Sequence, residues 1–201
     1  MVKNIFMKHI VIILFLLSTC FIVNIVNAQC RNINSVYWEQ INDSIKKETI
    51  ASKEVNVDVV NYYKGYFRFT DNEKSFQLLD TLISAPKQIN IKALYFYLFN
   101  KICVKADGAV AEGLGSYCQK VIINDPMYVL KYFSSHNSIM RTYAQLLGYE
   151  LYFKGKGTSD IEYNFNDFKI LIKDKIDNDI NLQKTFSDFN NKIEEIMKNM
   201  D

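Results

Sequence analysis

Acid–base chemistry at one site needs a histidine or a pair of carboxylates held where their proton affinities suit the task. This chain offers few such groups. Its two histidines are His9 and His136. His136 lies in the polar run Ser134-Ser135-His136-Asn137, between two helical patterns. That setting suits an exposed loop histidine. To serve as a general base it would need a nucleophile or a carboxylate nearby, and Asp107 or Glu112 could serve. They flank the unusual segment Asp107-Gly108-Ala109-Val110-Ala111-Glu112-Gly113-Leu114-Gly115. Gly113 and Gly115 fall inside a helical pattern, where each costs roughly 1 kcal/mol relative to alanine. Close helix packing can offset that, with Ala109 and Gly113 on one face and Ala111 and Gly115 on another; this is the favoured account. The other account is a pocket lined by small residues. With Asp107, Glu112 and His136 converging on it, the chain would be a small hydrolase or ligand-binding protein.

Other chemistries lack their residues. The glycine order does not match a dinucleotide fingerprint, and a helix precedes it where a strand is needed. No serine stands in a nucleophile-elbow pattern, and no phosphate or calcium loop is present. Cys103, Cys118 and His136 lack the paired spacing of zinc modules. We therefore expect no metal, no cofactor and no assigned catalytic residue.

Aromatic side chains that remain exposed can anchor a partner. Most of those here recur at helical core spacing. Trp38 and the cluster Tyr62, Tyr63, Tyr66, Phe67 and Phe69 lie in the least regular part of the chain. Trp38, Tyr62 and Tyr66 are the partner-binding candidates.

The N-terminus reads as a secretory leader: Lys3 and Lys8, an apolar run from Ile10 to Val26, then Val26-Asn27-Ala28. Cleavage after Ala28 places the mature protein in the periplasm or outside the cell. The Asn/Lys/Ile-rich composition and the Asn27-Ala28-Gln29 junction resemble those of exported bacterial proteins. A membrane association would require the leader to be retained or Cys20 to be lipidated. The chain carries 24 Lys+Arg and 22 Asp+Glu. Lys3 and Lys8 leave with the leader, so residues 29–201 balance to zero and do not have the basic character of a nucleic-acid binder. Cys30, Cys103 and Cys118 remain. An oxidising compartment permits a disulfide, but their pairing stays open. Cys103 and Cys118 read as small buried apolar residues on neighbouring helices, not directly opposite each other.

These candidates must be positioned by helices. Residues 29–201 read as a single all-α domain of seven or eight sequential antiparallel helices, forming a compact bundle or a short α-solenoid. A first helix runs from a cap at Asn34 or Ser35 to about Thr49, and Val55 to Phe69 is also read as helical. Thr70-Asp71-Asn72-Glu73 and Ser159-Asp160-Ile161-Glu162 have the form of capping boxes. Between them come a helix stopped by Ala85-Pro86 and a nearly all-apolar one from Ile91, capped by Asn90, to Lys105. The latter is expected to be central. Asp107-Gly108 then turns the chain into a helix ending near Asn124. Asp125-Pro126 starts a short helix holding Met127, Leu130 and Phe133. Another runs from Asn137 or Ser138 to Phe153, stopped by Lys154-Gly155. Residues 160–200 read as a C-terminal helical hairpin built on matching stripes, Ile161 to Ile176 and Leu182 to Met200. With no catalytic constellation and many grooves between helices, the expected function is non-enzymatic binding of another exported or envelope protein.

Overall fold

The computed structural model describes residues 35–159 and 161–200. The expected leader and cleavage point, with Cys20 and Cys30, lie outside the described residues. The architecture is all-α. Among the described residues there are nine α-helices, one 3-10 turn and no strand.

The first expected helix is divided. Tyr37, Trp38 and Ile41 are all buried, and a 3-10 turn over Trp38–Gln40 carries them inward. Asn42 then opens α1 (Asp43–Ala51), its side chain accepting from the Ile45 N–H. The helical part of the next stretch is α2 (Val57–Tyr63), capped by Asn56. It ends at Lys64, and Gly65 follows with φ +79. That left-handed conformation suits glycine. The Tyr66 and Phe67 N–H groups both donate to the Asn61 carbonyl. Residues 66–72 are irregular.

Several starts differ from expectation because a better-placed amide takes the cap. Asn72, not Thr70, caps α3 (Glu73–Leu82), accepting from the Ser75 N–H at 2.9 Å while donating to the Thr70 hydroxyl. Helix α4 (Ile89–Lys105) begins before Asn90, after Gln88, with no side-chain cap. Helix α5 (Gly108–Asn124) follows Asp107 directly. Asp125 caps α6 (Pro126–Phe133) as expected, accepting from the Tyr128 N–H. Met127, however, is exposed there. Helix α7 (Asn137–Gly155) runs past Phe153. Its left-handed stop is Gly157, φ +76, not Gly155.

The second expected capping box does not start a helix. Gln119, buried on α5, grips the peptide of Tyr163: its Nε2 donates to the Tyr163 carbonyl at 2.8 Å and its Oε1 accepts from the Tyr163 N–H at 3.0 Å. Ser159 donates to Glu150. With the loop held this way, Asn164 caps α8 (Phe165–Ile176). Asp179 caps the last helix, α9 (Ile180–Lys198).

Ten side chains of α4 are buried, on every face but one stripe, so it is central as its composition implies. Helix α7 is the other hub, packing along α5 and α9. Glycines make this approach possible. A Cβ on Gly115 would stand 2.5 Å from the Leu146 carbonyl oxygen, and one on Gly148 would stand 3.1 Å from Ile196 Cγ2. Helix α9 therefore lies mainly on α7 and more briefly on α8. The apolar stripes of α8 and α9 both enter the core through Phe168, Ile172, Phe186 and Phe189.

Candidate functional site

The residues proposed for acid–base chemistry do not share a site. Asp107 is exposed at the lip of a groove between residues 62–69 and the end of α4. Glu112 lines a different depression, facing Thr142, Leu146 and Tyr149 of α7. Five residues of helix turn the chain through about 500°, placing such a pair roughly 140° apart. His136 lines neither. Its ring stacks on Tyr132 with centroids 3.8 Å apart and planes 5° apart. Its Nδ1 lies 3.0 Å from the Tyr132 carbonyl and 3.0 Å from the Ser135 hydroxyl. Among the described residues no three His, Cys, Asp or Glu side chains form a group able to hold a metal.

The stack on His136 adjoins a latch that holds Val36 and Glu39. Tyr128 donates to the Val36 carbonyl at 2.8 Å and Tyr132 donates to Glu39 at 2.9 Å. Phe96 meets Tyr128 and Tyr132 edge-on, and Tyr37 meets Tyr132 edge-on and Tyr128 at a tilt. Burial, and then the Tyr37 and Glu39 charges, push the Tyr128 phenol far above its usual range. Burial and Glu39 do the same for Tyr132. Both phenols stay protonated and structural.

Of the partner-binding candidates, Trp38 is corrected. It is 3 % exposed and stands edge-on to Tyr63, 5.8 Å between centroids. The extra turn at Trp38–Gln40 buries it. Tyr66 is 80 % exposed, projected outward by the left-handed Gly65 beside it. Tyr62 is half-buried and forms part of the groove wall.

That groove holds about 680 Å³. Tyr62, Phe67 and Phe69 make one wall, with Phe67 and Phe69 each T-shaped against Tyr62 at 6.3 and 6.4 Å. Leu98 and Ile102 of α4 form the floor. Burial raises the Tyr62 phenol, with Cys103 a second cause, so Tyr62 presents a neutral ring. Around these apolar surfaces stand four cations, Lys64, Arg68, Lys101 and Lys105, against the single carboxylate of Asp107. All five are exposed. None takes part in an ion pair among the described residues. Lys101 lies over the Tyr97 ring at 5.4 Å, and Lys74 covers the outer face of Phe67 at 5.1 Å.

Sequence reasoning found the aromatic wall and Asp107 but missed Lys101 and Lys105. Their signal was present. They sit four residues apart on the one stripe of α4 that is not apolar, so they share a face. It was obscured because α4 was read for its buried residues. The glycine-rich start of α5 divides between both accounts offered for it: Gly115 serves close packing, while Gly108, Ala111 and Glu112 line the second depression.

The grooved face is thus an aromatic wall ringed by unpaired positive charge, on an all-helical protein for which comparisons with protein-family models, curated proteins and solved structures found no match.

Proposed function

We propose that this is an exported, non-enzymatic binding module, and that it recognises an acidic, partly aromatic segment of another protein in the groove between residues 62–69 and α4. The observation that carries the reading is the concentration of Lys64, Arg68, Lys101 and Lys105 around aromatic side chains, with one carboxylate, Asp107, in the lining and no ion pair to any of the four among the described residues. Residues 29–201 are balanced in charge, so the groove is a local excess. Aromatic faces supply contact area at small entropic expense, and complementary charge speeds encounter and selects the partner. Export rests on the leader-like N-terminus. No helix among the described residues is long and apolar enough to cross a membrane.

Affinity capture of the tagged full chain from its host tests this. A protein with an acidic stretch should be recovered in near-equal amount. The charge-reversed variant Arg68→Glu/Lys101→Glu should lose it by tenfold or more, and Tyr66→Ala should weaken it. Recovery of the same partner in undiminished amount by the charge-reversed variant would place binding elsewhere on the surface. Recovery of the protein alone would count against a binding module. The hydrolase reading has no comparable support, since Asp107, Glu112 and His136 occupy separate places.

A further inference from the structure

Cys103 lies in the last turns of α4 and Cys118 in the middle of α5. Their sulfurs are 3.9 Å apart, although the sequence reading did not set them opposite each other. Both are free thiols. Cys118 is 0 % exposed and Cys103 3 %. The two-residue turn Ala106-Asp107 redirects the chain from α4 into α5, and the sulfurs of positions 15 apart in sequence come face to face. Cys103 also forms part of the floor of the depression lined by Glu112 and Tyr149. Cys118 lies behind it.

We propose that Cys103 and Cys118 are a disulfide-forming pair, oxidised as the protein folds in the presence of a small-molecule or protein disulfide. Closure from 3.9 Å to the roughly 2.05 Å of an S–S bond requires the two sulfurs to approach by about 2 Å. The steps balance by exchange. The Cys103 thiolate, reached through the depression, attacks the external disulfide and releases one thiolate. The Cys118 thiolate then attacks Cys103 Sγ, forms the internal bond and releases the second. The two protein thiols are oxidised, the external disulfide is reduced to two thiols, and the two protons go with them. Burial, reinforced by Cys103, pushes the Cys118 thiol well above its ordinary range. The second step therefore belongs to folding, before α5 seals over Cys118. The same burial makes the pair a staple and not a turnover dithiol, whose attacking sulfur must be an accessible thiolate.

The test is independent of the groove. The full chain carrying Cys20→Ser and Cys30→Ser retains these two thiols alone. It is refolded in an equal mixture of oxidised and reduced glutathione, then alkylated under denaturing conditions and mapped by mass spectrometry. The expected result is no alkylated thiol, a Cys103–Cys118 cross-link, and a Tm about 5–10 °C above that of the same chain refolded in reductant. The bond should resist reductant until the protein is unfolded. Alkylation of both thiols, or glutathione retained on Cys103, would overturn the proposal. So would a link from either residue to Cys20 or Cys30 when the chain with all four cysteines is treated alike. Cys103→Ser/Cys118→Ser in the same background should show a Tm indifferent to redox conditions.

Discussion

Along α5, α7 and α9, glycines draw helices together. Between α2 and α3, a glycine holds the chain away from regular structure. Gly115 and Gly148 stand where a neighbouring helix leaves little or no room for a side chain. Gly65 has no atom near its absent Cβ and is required only for its left-handed backbone. The first region is closed. Polar groups it buries can find partners inside it, as Tyr143 does by donating to Asn100 Oδ1 at 2.7 Å, though Asn100 Nδ2 and Asn190 Oδ1 are left without one among the described residues. The second is open, and its four cations form no ion pair among the described residues. The difference teaches that glycine content alone does not mark a pocket. What matters is whether the missing Cβ is replaced by another helix or by solvent.

The comparison can be broken most directly at Gly115. Alanine there improves helix propensity, but its methyl would meet a backbone carbonyl that cannot move alone. Gly115→Ala is expected to destabilise by about 2–3 kcal/mol, read as a lowered midpoint in urea unfolding. A net gain in stability would show that α5 and α7 are free to separate. Next comes Tyr143→Phe. It leaves the buried Asn100 Oδ1 without its donor, beside an amide nitrogen that already lacks a hydrogen-bond partner. A loss of about 1–2 kcal/mol follows. Adding Asn100→Leu should recover part of that loss, because replacing both partners costs less than orphaning one; additive losses would refute the link. Charge reversal in the open region should behave oppositely. Lys101→Glu/Lys105→Glu is expected to change stability by no more than about 0.5 kcal/mol, while abolishing capture of an acidic partner. A small effect of opposite sign sharpens the comparison within one helix. Gly113, two residues from Gly115, faces only Phe76 at an ordinary 3.6 Å. Gly113→Ala should therefore stabilise by about 0.5–1 kcal/mol, raising Tm by about 1–4 °C.

How far these features were legible follows from the range of the forces involved. The central place of α4 could be read because apolar residues cover nearly its whole circumference, which only a buried helix tolerates. The Asp125-Pro126 start was readable because cap and proline act on their own backbone. Helix starts at Asn72 and Asn164 were misplaced because several polar residues compete for one cap. Around Tyr163, Gln119 decides the outcome from 44 residues away. The meeting of Cys103 and Cys118 depended on the rotation of α5 against α4, which a turn of two residues sets and local propensity does not. At the groove, Tyr62 and Tyr66 were legible as aromatics in an irregular stretch. Trp38 was misjudged because its burial comes from a 3-10 turn that spacing did not suggest. Lys101 and Lys105 join that stretch only once the chain is folded.

The grip of Gln119 on Tyr163 also has a kinetic meaning. A loop without regular structure normally exchanges its amide hydrogens with solvent readily, because opening it disturbs little else. The Tyr163 amide is instead tied to a buried side chain on α5, and cannot meet solvent unless α5 itself gives way. It should exchange as slowly as the amides in the middle of α5, while those at Gly157 and Thr158 exchange fast. The approach to α8 would then open in step with α5, and a protease probing residues 156–164 would report on the core.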